Sequence, residues 1–428
     1  MNILHINTLD NEGGAARAMY RLHQGLLRLG HRSHLLVSAQ TVHEPNIDVI
    51  HLQSEPFHTL TDTVMDTIGL ALETRFGLNA LAYRNSWHIP QLPVFRQADV
   101  VNLHNLHGGY FNLHAQPALA SRKPVVWTLH DMWALTGHCA YSYNCTRWRT
   151  GCYDCPLLKE PGRQIVEPPP TSMDRTRSVW EAKRRVYQTT SLHIVAPSKW
   201  LYGLVQESIL AAAASLQCIP YGVDVDMFHP VDQMAARQAL DLPADKHVIF
   251  FSAAGAIDGR RLNGRKGFAY LVRALEQLPD AGSICLLTSG GWAELGEHAE
   301  RFDVRQLGYL SGEEDQRLAF AAADLFVLPT LADNLPLVLI EALACGTPIV
   351  AFNVGGVPEL VRHMETGYLA RHKDADDLAQ GIRLLINGDT LRAHMRQRCR
   401  EIAEAEYSLE LQSQRYLDLY RRAIQHDA

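Results

Sequence analysis

A chain of 428 residues, 47% of them apolar and 20% charged, is too long for one ordinary core and too apolar for a disordered or fibrous protein, so a globular enzyme of two domains is expected. Its net charge of −6 is unevenly spread: residues 1–199 carry 19 basic against 15 acidic side chains, and the rest 21 against 31. That imbalance is too mild for a nucleic-acid binder. It leaves the N-terminal half as the better side for an anionic acceptor or for peripheral contact with a membrane surface.

The first apolar run, Ile3-Leu4-His5-Ile6, reads as a strand and is followed by the turn Asp10-Asn11-Glu12-Gly13-Gly14. Ala18, Met19, Leu22, Leu26 and Leu29 then recur at spacings of three and four, which predicts a helix over Ala15–Leu29 stopped by Gly30. Leu35-Leu36-Val37 restarts a strand, completing a βαβ unit. Thr61–Phe76 has helical spacing with an acidic polar side, which suits packing or a lid better than an anionic membrane. Further strands are read at Val100–Leu103, Val125–Leu129 and His193–Ala196, then at Val248–Phe251, Ile284–Leu287, Leu325–Leu328 and Ile349–Phe352. The alternation predicts α/β architecture with parallel, doubly wound sheets. Ile219-Pro220-Tyr221-Gly222 ends the first set, so domains are placed at 1–217 and 218–407. No run approaches the roughly 20 apolar residues of a membrane span, and the start lacks a secretory pattern, so a cytoplasmic protein is expected, with the inner membrane face as its other place.

The segment Leu328–Pro348 carries most of the chemistry. A strand ends at Pro329, Asp333 and Asn334 are capping candidates, Pro336 suits a first helical residue, and Gly346 closes the helix. Such a loop offers a carboxylate and unpaired N–H groups at a helix N-terminus beyond a parallel strand, where nucleotides bind. Glu341 falls within an otherwise apolar helix; it is either a buried carboxylate in need of a partner, such as a ribose diol, or an exposed residue of the outer face. Gly13-Gly14, between strand and helix, either lets backbone N–H groups approach a phosphate or sugar or forms an ordinary turn. The basic loop Asp258–Lys266 contains Arg260, Arg261, Arg265 and Lys266 ahead of a helix at Phe268–Leu278. Cations there would neutralise the charge growing on a departing diphosphate; otherwise the run is a solvated loop. Asp224-Val225-Asp226 follows a turn without a third acidic ligand nearby, so it is read as an inter-domain turn and no catalytic metal is expected.

Four cysteines, Cys139, Cys145, Cys152 and Cys155, crowd the long loop Gly137–Thr171, a length that usually carries function. Their thiolates could close a structural zinc site, and the last pair has chelate spacing; in a reducing compartment this outranks disulfides, while plain thiols are the other reading.

The acidic-x7-Glu spacing of Asp333 to Glu341 resembles the signature of retaining, GT-B-fold glycosyltransferases of the sucrose-synthase-like (group 1) family. Asn11–Ala16, Ala196–Leu201, Ile219–Asp224 and Asn353–Glu359 resemble that family's other landmarks, and Trp127–Trp133 with the cysteine loop resembles the exopolysaccharide, colanic-acid-type galactosyltransferases. The family's first carboxylate is usually Glu, so Asp333 is one methylene shorter in reach. The resemblance implies two Rossmann-like domains facing a cleft, an acceptor-binding N-terminal one and a donor-binding C-terminal one, with a last helix at 408–428 crossing back. It implies metal-independent, retaining transfer of a hexose from a UDP- or GDP-sugar to a glycan or lipid-linked oligosaccharide, without a cofactor. It assigns catalytic positions to His130, which would touch the donor sugar, Arg261 with its family spacing to Lys266, Lys266 and Asp333. Donor contacts fall to Gly13, Gly14, Arg265, Asn334, Leu335, Leu337 and Glu341. On the residues alone, His130 could instead bond to neighbouring backbone, with Asp131 holding its tautomer. A sugar-nucleotide epimerase on the same fold, or a degenerate sugar-nucleotide-binding protein, is the alternative.

Overall fold

The computed structural model describes the chain apart from residues 51–67, 70, 72–74, 79, 82, 84, 160–170, 172, 253–256, 259–260, 263, 291–300, 311 and 428. Most of the helix read over Thr61–Phe76 therefore lies outside the described residues. The chain divides into two compact units, Met1–Gly222 with Leu409–Ala428, and Val223–Ser408. The division falls five residues beyond the one read from sequence.

The first unit holds a seven-stranded parallel sheet: β1 (Asn2–Leu9), β2 (Arg32–Ala39), β3 (Ile47–Val49), β4 (Val100–Leu103), β5 (Val125–Thr128), β6 (His193–Ala196) and β7 (Ser215–Cys218), in the order 3-2-1-4-5-6-7. β4, β5 and β6 are buried at every position, as continuous runs in a sheet covered on both faces must be. One face packs Leu4, Val101, Trp127 and Ile194 together. The other is covered by α1 (Gly14–Arg28) and the returning C-terminal helix, whose Tyr416 and Tyr420 are buried against Ile3, Val100 and Val126. The hydroxyl of Tyr416 lies 3.0 Å from Thr128 Oγ1, and that of Tyr420 accepts from Asn102 Nδ2 at 2.8 Å, so two buried polar side chains of the central strands are satisfied by the last helix.

The second unit holds a six-stranded parallel sheet of β8 (His247–Ser252), β11 (Ile284–Ser289), β12 (Asp303–Gln306), β13 (Leu325–Leu328), β14 (Ile349–Phe352) and β15 (Gly367–Ala370), in the order 12-11-8-13-14-15. A two-residue hairpin, β9 (Ile257–Asp258) with β10 (Arg261–Leu262), follows β8. In each sheet the winding direction reverses once, between β1 and β4 and between β8 and β13. At such reversals the loops beyond the carboxyl ends part and leave a crevice for ligands. Among the described residues no helix is long and apolar enough to cross a membrane.

Candidate functional site

In the second unit, the basic loop and the acidic loop leave the two strands that flank the reversal. Arg265 and Lys266 follow β8, and Asp333 follows β13. The two segments are laced together: Leu331 N–H donates to the Arg265 carbonyl at 2.7 Å, Thr330 Oγ1 to the same oxygen at 3.2 Å, and Arg265 Nη1 to the Ala332 carbonyl at 3.2 Å. Both cations then converge on one carboxylate, Asp333 Oδ2 lying 3.5 Å from Arg265 Nη1 and 3.6 Å from Lys266 Nζ. Gly267 permits this approach. It is left-handed at φ +71°, and a Cβ there would stand 1.7 Å from the Pro329 carbonyl oxygen.

Past Asp333, Pro336 caps a short helix, α2 (Leu337–Ala344). Glu341 is 1% exposed within it, which rules out the exposed reading, and Asn334, Leu335 and Leu337 are buried at its start. The Asp333 carbonyl receives Gly356 N–H at 3.3 Å, which places the Asn353–Glu359 segment against the acidic loop. Gly355 is left-handed at φ +58°, and its Cβ would meet the Asp333 carbonyl oxygen at 1.9 Å. Gly355→Ala is therefore expected to destabilise the protein by about 2 kcal/mol through overpacking and backbone strain. Thermal unfolding checks this, and a variant melting with the parent would show that the loop yields at no cost.

Of the arginines considered from sequence, Arg265 is the one shown beside Lys266 and Asp333. Arg261 sits in β10 with its side chain outside the described part of the chain, as is all of Arg260. Asp224 acts locally, its Oδ1 accepting from the N–H groups of Asp226 at 3.0 Å and Met227 at 3.2 Å, as a turn residue does.

In the first unit, the loops beyond β1, β4 and β5 carry glycines and histidines. Gly13 has φ +87° and caps α1, and a Cβ on Gly13 or Gly14 would meet nothing within 4 Å, so open space lies over this turn. His130 engages both ring nitrogens inside the unit, Nε2 with His104 Nδ1 at 3.0 Å and Nδ1 with the Tyr221 hydroxyl at 2.7 Å. A sugar contact through that ring would require one of these bonds to open. Asp131 does not hold the His130 tautomer: its Oδ2 lies 3.1 Å from His107 Nε2, and its Oδ1 accepts from Trp133 N–H at 2.7 Å. Burial depresses His130 from 6.5 to about 4, against the opposing pull of Asp131. His5, His104 and Tyr221 were not singled out from sequence. The available signal was a histidine directly after each apolar strand end, Leu103-His104 and Leu129-His130.

The cysteine loop is anchored under β5 by Lys183, which is buried, lies 3.5 Å over the Trp133 ring and donates to the Thr136 carbonyl at 2.9 Å. Cys139, Cys145, Cys152 and Cys155 line one cavity with His138. No three of their sulfurs lie within 4.8 Å of one another, so the loop is wider than a closed tetrahedral site. Gly137 N–H donates to Cys152 Sγ at 3.2 Å, and Leu158 N–H donates to the Cys155 carbonyl at 3.3 Å. Tyr143, Cys152 and Asp154 are left-handed at φ +49°, +47° and +51°. A separate group, His193, His426 and Asp427, gathers at the amino end of β6 with ligand atoms within 4.8 Å, its members already hydrogen-bonded to one another.

Two doubly wound units, one carrying a cationic loop and a buried carboxylate at its reversal, define a two-domain α/β class, and the comparisons specify the family. The pattern of Glycosyltransferase Family 4 matches residues 12–227, and that of Glycosyl transferases group 1 matches residues 233–403. The chain belongs to the family-4, group 1 glycosyltransferases. It is 27% identical to the putative colanic acid biosynthesis glycosyl transferase WcaC of Escherichia coli, over 98% of this chain and 100% of that one. It is 28% identical to the D-inositol 3-phosphate glycosyltransferase of Mycolicibacterium paratuberculosis, over 74% of this chain and 68% of that one. Among solved structures, sucrose-phosphate synthase from Thermosynechococcus elongatus superposes with a TM-score of 0.67 at 20% identity, covering 100% of both chains. Anabaena HepE in complex with UDP and glucose does so at 0.64 and 17%, covering 98% and 99%. The fold is GT-B and the protein is a glycosyltransferase; the epimerase and the binding-protein alternatives are not favoured by these matches.

Proposed function

We propose that the protein is a retaining, metal-independent hexosyltransferase that moves a sugar from a UDP- or GDP-sugar to a glycan or lipid-linked oligosaccharide during exopolysaccharide or cell-surface polysaccharide synthesis. The observation that carries this reading is the convergence of Arg265 and Lys266 on Asp333 at the sheet reversal of the second unit. Two cations fixed beside a helix N-terminus suit the charge that develops on a diphosphate as its bond to the sugar breaks. Glu341, already buried, offers its carboxylate to a ribose diol, and Leu335 and Leu337 offer backbone amides at the helix start, while Asn334 N–H donates to Asp333 Oδ1 at 3.1 Å and sets the loop that carries them. Asp333 pairs with both cations and is the acidic group beside them that would orient a sugar hydroxyl. The leaving diphosphate oxygen takes the acceptor proton, so no protein base is assigned. A UDP complex of HepE and the colanic acid role in the name of WcaC agree with the donor and acceptor classes proposed.

Purified protein incubated with UDP- and GDP-hexoses and lipid-linked acceptors is expected to release nucleoside diphosphate only with acceptor present. NMR of the product should show the donor's anomeric configuration kept. Inversion would remove the retaining mechanism, and nucleotide release without a glycosylated product would remove the transfer reading.

The cysteine loop is proposed to close on a structural zinc ion. An amide donor aimed at the Cys152 sulfur favours a thiolate there, and three left-handed residues without glycine need something to hold the turn. Without metal the buried thiols stay protonated, burial pushing Cys152 up to about 12. Elemental analysis of the purified chain should find about one zinc per molecule, a ratio set by four thiolate ligands per ion. Cys145→Ser and Cys152→Ser should lose it, and a metal-free parent with four reactive thiols would end the proposal.

A further inference from the structure

The C-terminal helix, Leu409–His426, ends against the amino edge of the first sheet. Its last residue, His426, and the following Asp427 meet His193, the first residue of β6. Asp427 keeps the helical register, its N–H donating to the Ala423 carbonyl at 3.1 Å. Among the described residues, these three alone form a group in which one ligand atom from each lies within 4.8 Å of the others. His193 Nε2 is 3.4 Å from Asp427 Oδ2, and His426 Nδ1 is 2.8 Å from Asp427 Oδ1.

Two of the three are held from behind. His193 pairs in register with Ser215 of β7, whose Oγ lies 2.9 Å from His193 Nδ1, so Nε2 is the nitrogen turned to Asp427. Ser191 Oγ donates to Asp427 Oδ1 at 3.2 Å. Outer partners of this kind orient imidazoles and carboxylates that ligate metals. The His193 side chain is 4% exposed, that of Asp427 15% and that of His426 59%, so the group is fixed on the sheet side and open to water on the other. The 3.4 Å between His193 Nε2 and Asp427 Oδ2 exceeds the roughly 2.7–2.9 Å of a charge-assisted hydrogen bond. It equals the edge of a tetrahedron whose metal bonds are about 2.0–2.1 Å long. The carboxyl end of a helix adds partial negative charge beside it.

The geometry points to a site for a divalent cation of the zinc type, held by His193, His426 and Asp427 with water completing its shell, which pins the end of the C-terminal helix to β6. Two imidazoles and one carboxylate are a ligand set that zinc accepts. The role is structural, because the group lies at the amino end of its strand, whereas the loops that carry Gly13 and His130 leave the carboxyl ends of theirs. An ion here joins residues 234 apart in sequence, and a clip across so long a span takes more freedom from the unfolded chain than a local one does. The inference stands on the first unit alone and needs neither the transferase reading nor the cysteine site.

Zinc uptake tests it, with the full chain stripped by a chelator, dialysed against micromolar zinc and compared with His426→Ala and Asp427→Asn. The parent should hold about one zinc per chain more than either variant, whatever the cysteine loop holds in all three. Its melting temperature should rise by about 5 °C more than theirs when zinc stands a hundredfold above its Kd. Asp427→Asn separates a metal site from a plain hydrogen-bonded cluster, since the carboxamide oxygen still accepts from both imidazoles but is a poor zinc ligand. Equal zinc uptake by parent and variants overturns the inference, and so does a parent-specific rise that magnesium reproduces, because magnesium selects oxygen ligands. Extra zinc in the parent without extra stability would remove the pinning role. Variants that hold no zinc beside a parent that holds one would keep this site and remove the cysteine site instead.

Discussion

Lys266→Ala is expected to lower the rate of sugar transfer about a hundredfold or more, with little change in melting temperature. Removing one preorganised donor from a site where charge develops costs about 3 kcal/mol of transition-state stabilisation. On the proposed reading Lys266 would be such a donor: the neighbouring left-handed Gly267 packs against Pro329, and Lys266 Nζ lies 3.6 Å from Asp333. The effect should appear in kcat more than in KM, since the charge it meets grows only as the sugar departs. Lys266→Arg keeps the charge and should recover part of the rate. Single-turnover transfer with a matched donor is the measurement, and a Lys266→Ala protein that turns over at the parent rate would take this residue out of the site. Asp333→Asn is a useful companion, because it releases both cations from their resting partner while leaving them in place.

Stability should fall steeply as pH drops below about 6.5, before the carboxylates titrate. The row His5, His104 and His130 is buried and neutral, and His23 beside it is also depressed to about 4 by burial. These pKa values are lower in the folded than in the unfolded chain, where histidine titrates near 6.5. Above that pH neither state binds the protons and nothing is lost. Between about 6.5 and 4 the unfolded chain takes them up and the folded one does not, so each ring withdraws stability as pH falls. For His130 the whole interval amounts to about 3 kcal/mol. Urea unfolding at pH 7.5, 6.5, 5.5 and 4.5 should show a decline of several protons' slope. A flat profile down to pH 5 would mean that the rings charge inside the folded unit. His104→Asn should reduce the slope by about one proton.

The pattern of legibility follows burial. β4, β5, β6, β13 and β14 announced themselves because a strand covered on both faces must be apolar throughout. The edge strands did not. Ser215–Cys218 is only half-buried, Asp303–Gln306 places Arg305 beside Asp303 across its own pleat, and Gly367–Ala370 opens on a glycine packed 1.9 Å, by its would-be Cβ, from the Ile349 carbonyl. Each lacks the periodicity that sequence reading relies on. At the site, spacing pointed to Asp333, Glu341 and the basic loop, but the contact of Arg265 with the β13 loop joins segments more than 60 residues apart, and spacing carries no sign of it. His5 and His104 were hidden for a related reason. A histidine row runs across strands, at right angles to the direction in which a sequence is read.

The second unit occupies an uninterrupted stretch, and its two ends meet, Val223 N–H donating to the Tyr407 carbonyl at 2.9 Å. It is threaded into the first unit as an insertion. During synthesis the ribosome therefore emits the strands of the first unit, then the whole second unit, and only afterwards Leu409–His426, whose tyrosines complete the hydrogen bonds of Asn102 and Thr128. The half of the enzyme that is made first is finished last, so a nascent chain stalled near residue 408 would carry a folded inner unit beside an outer one still missing a wall.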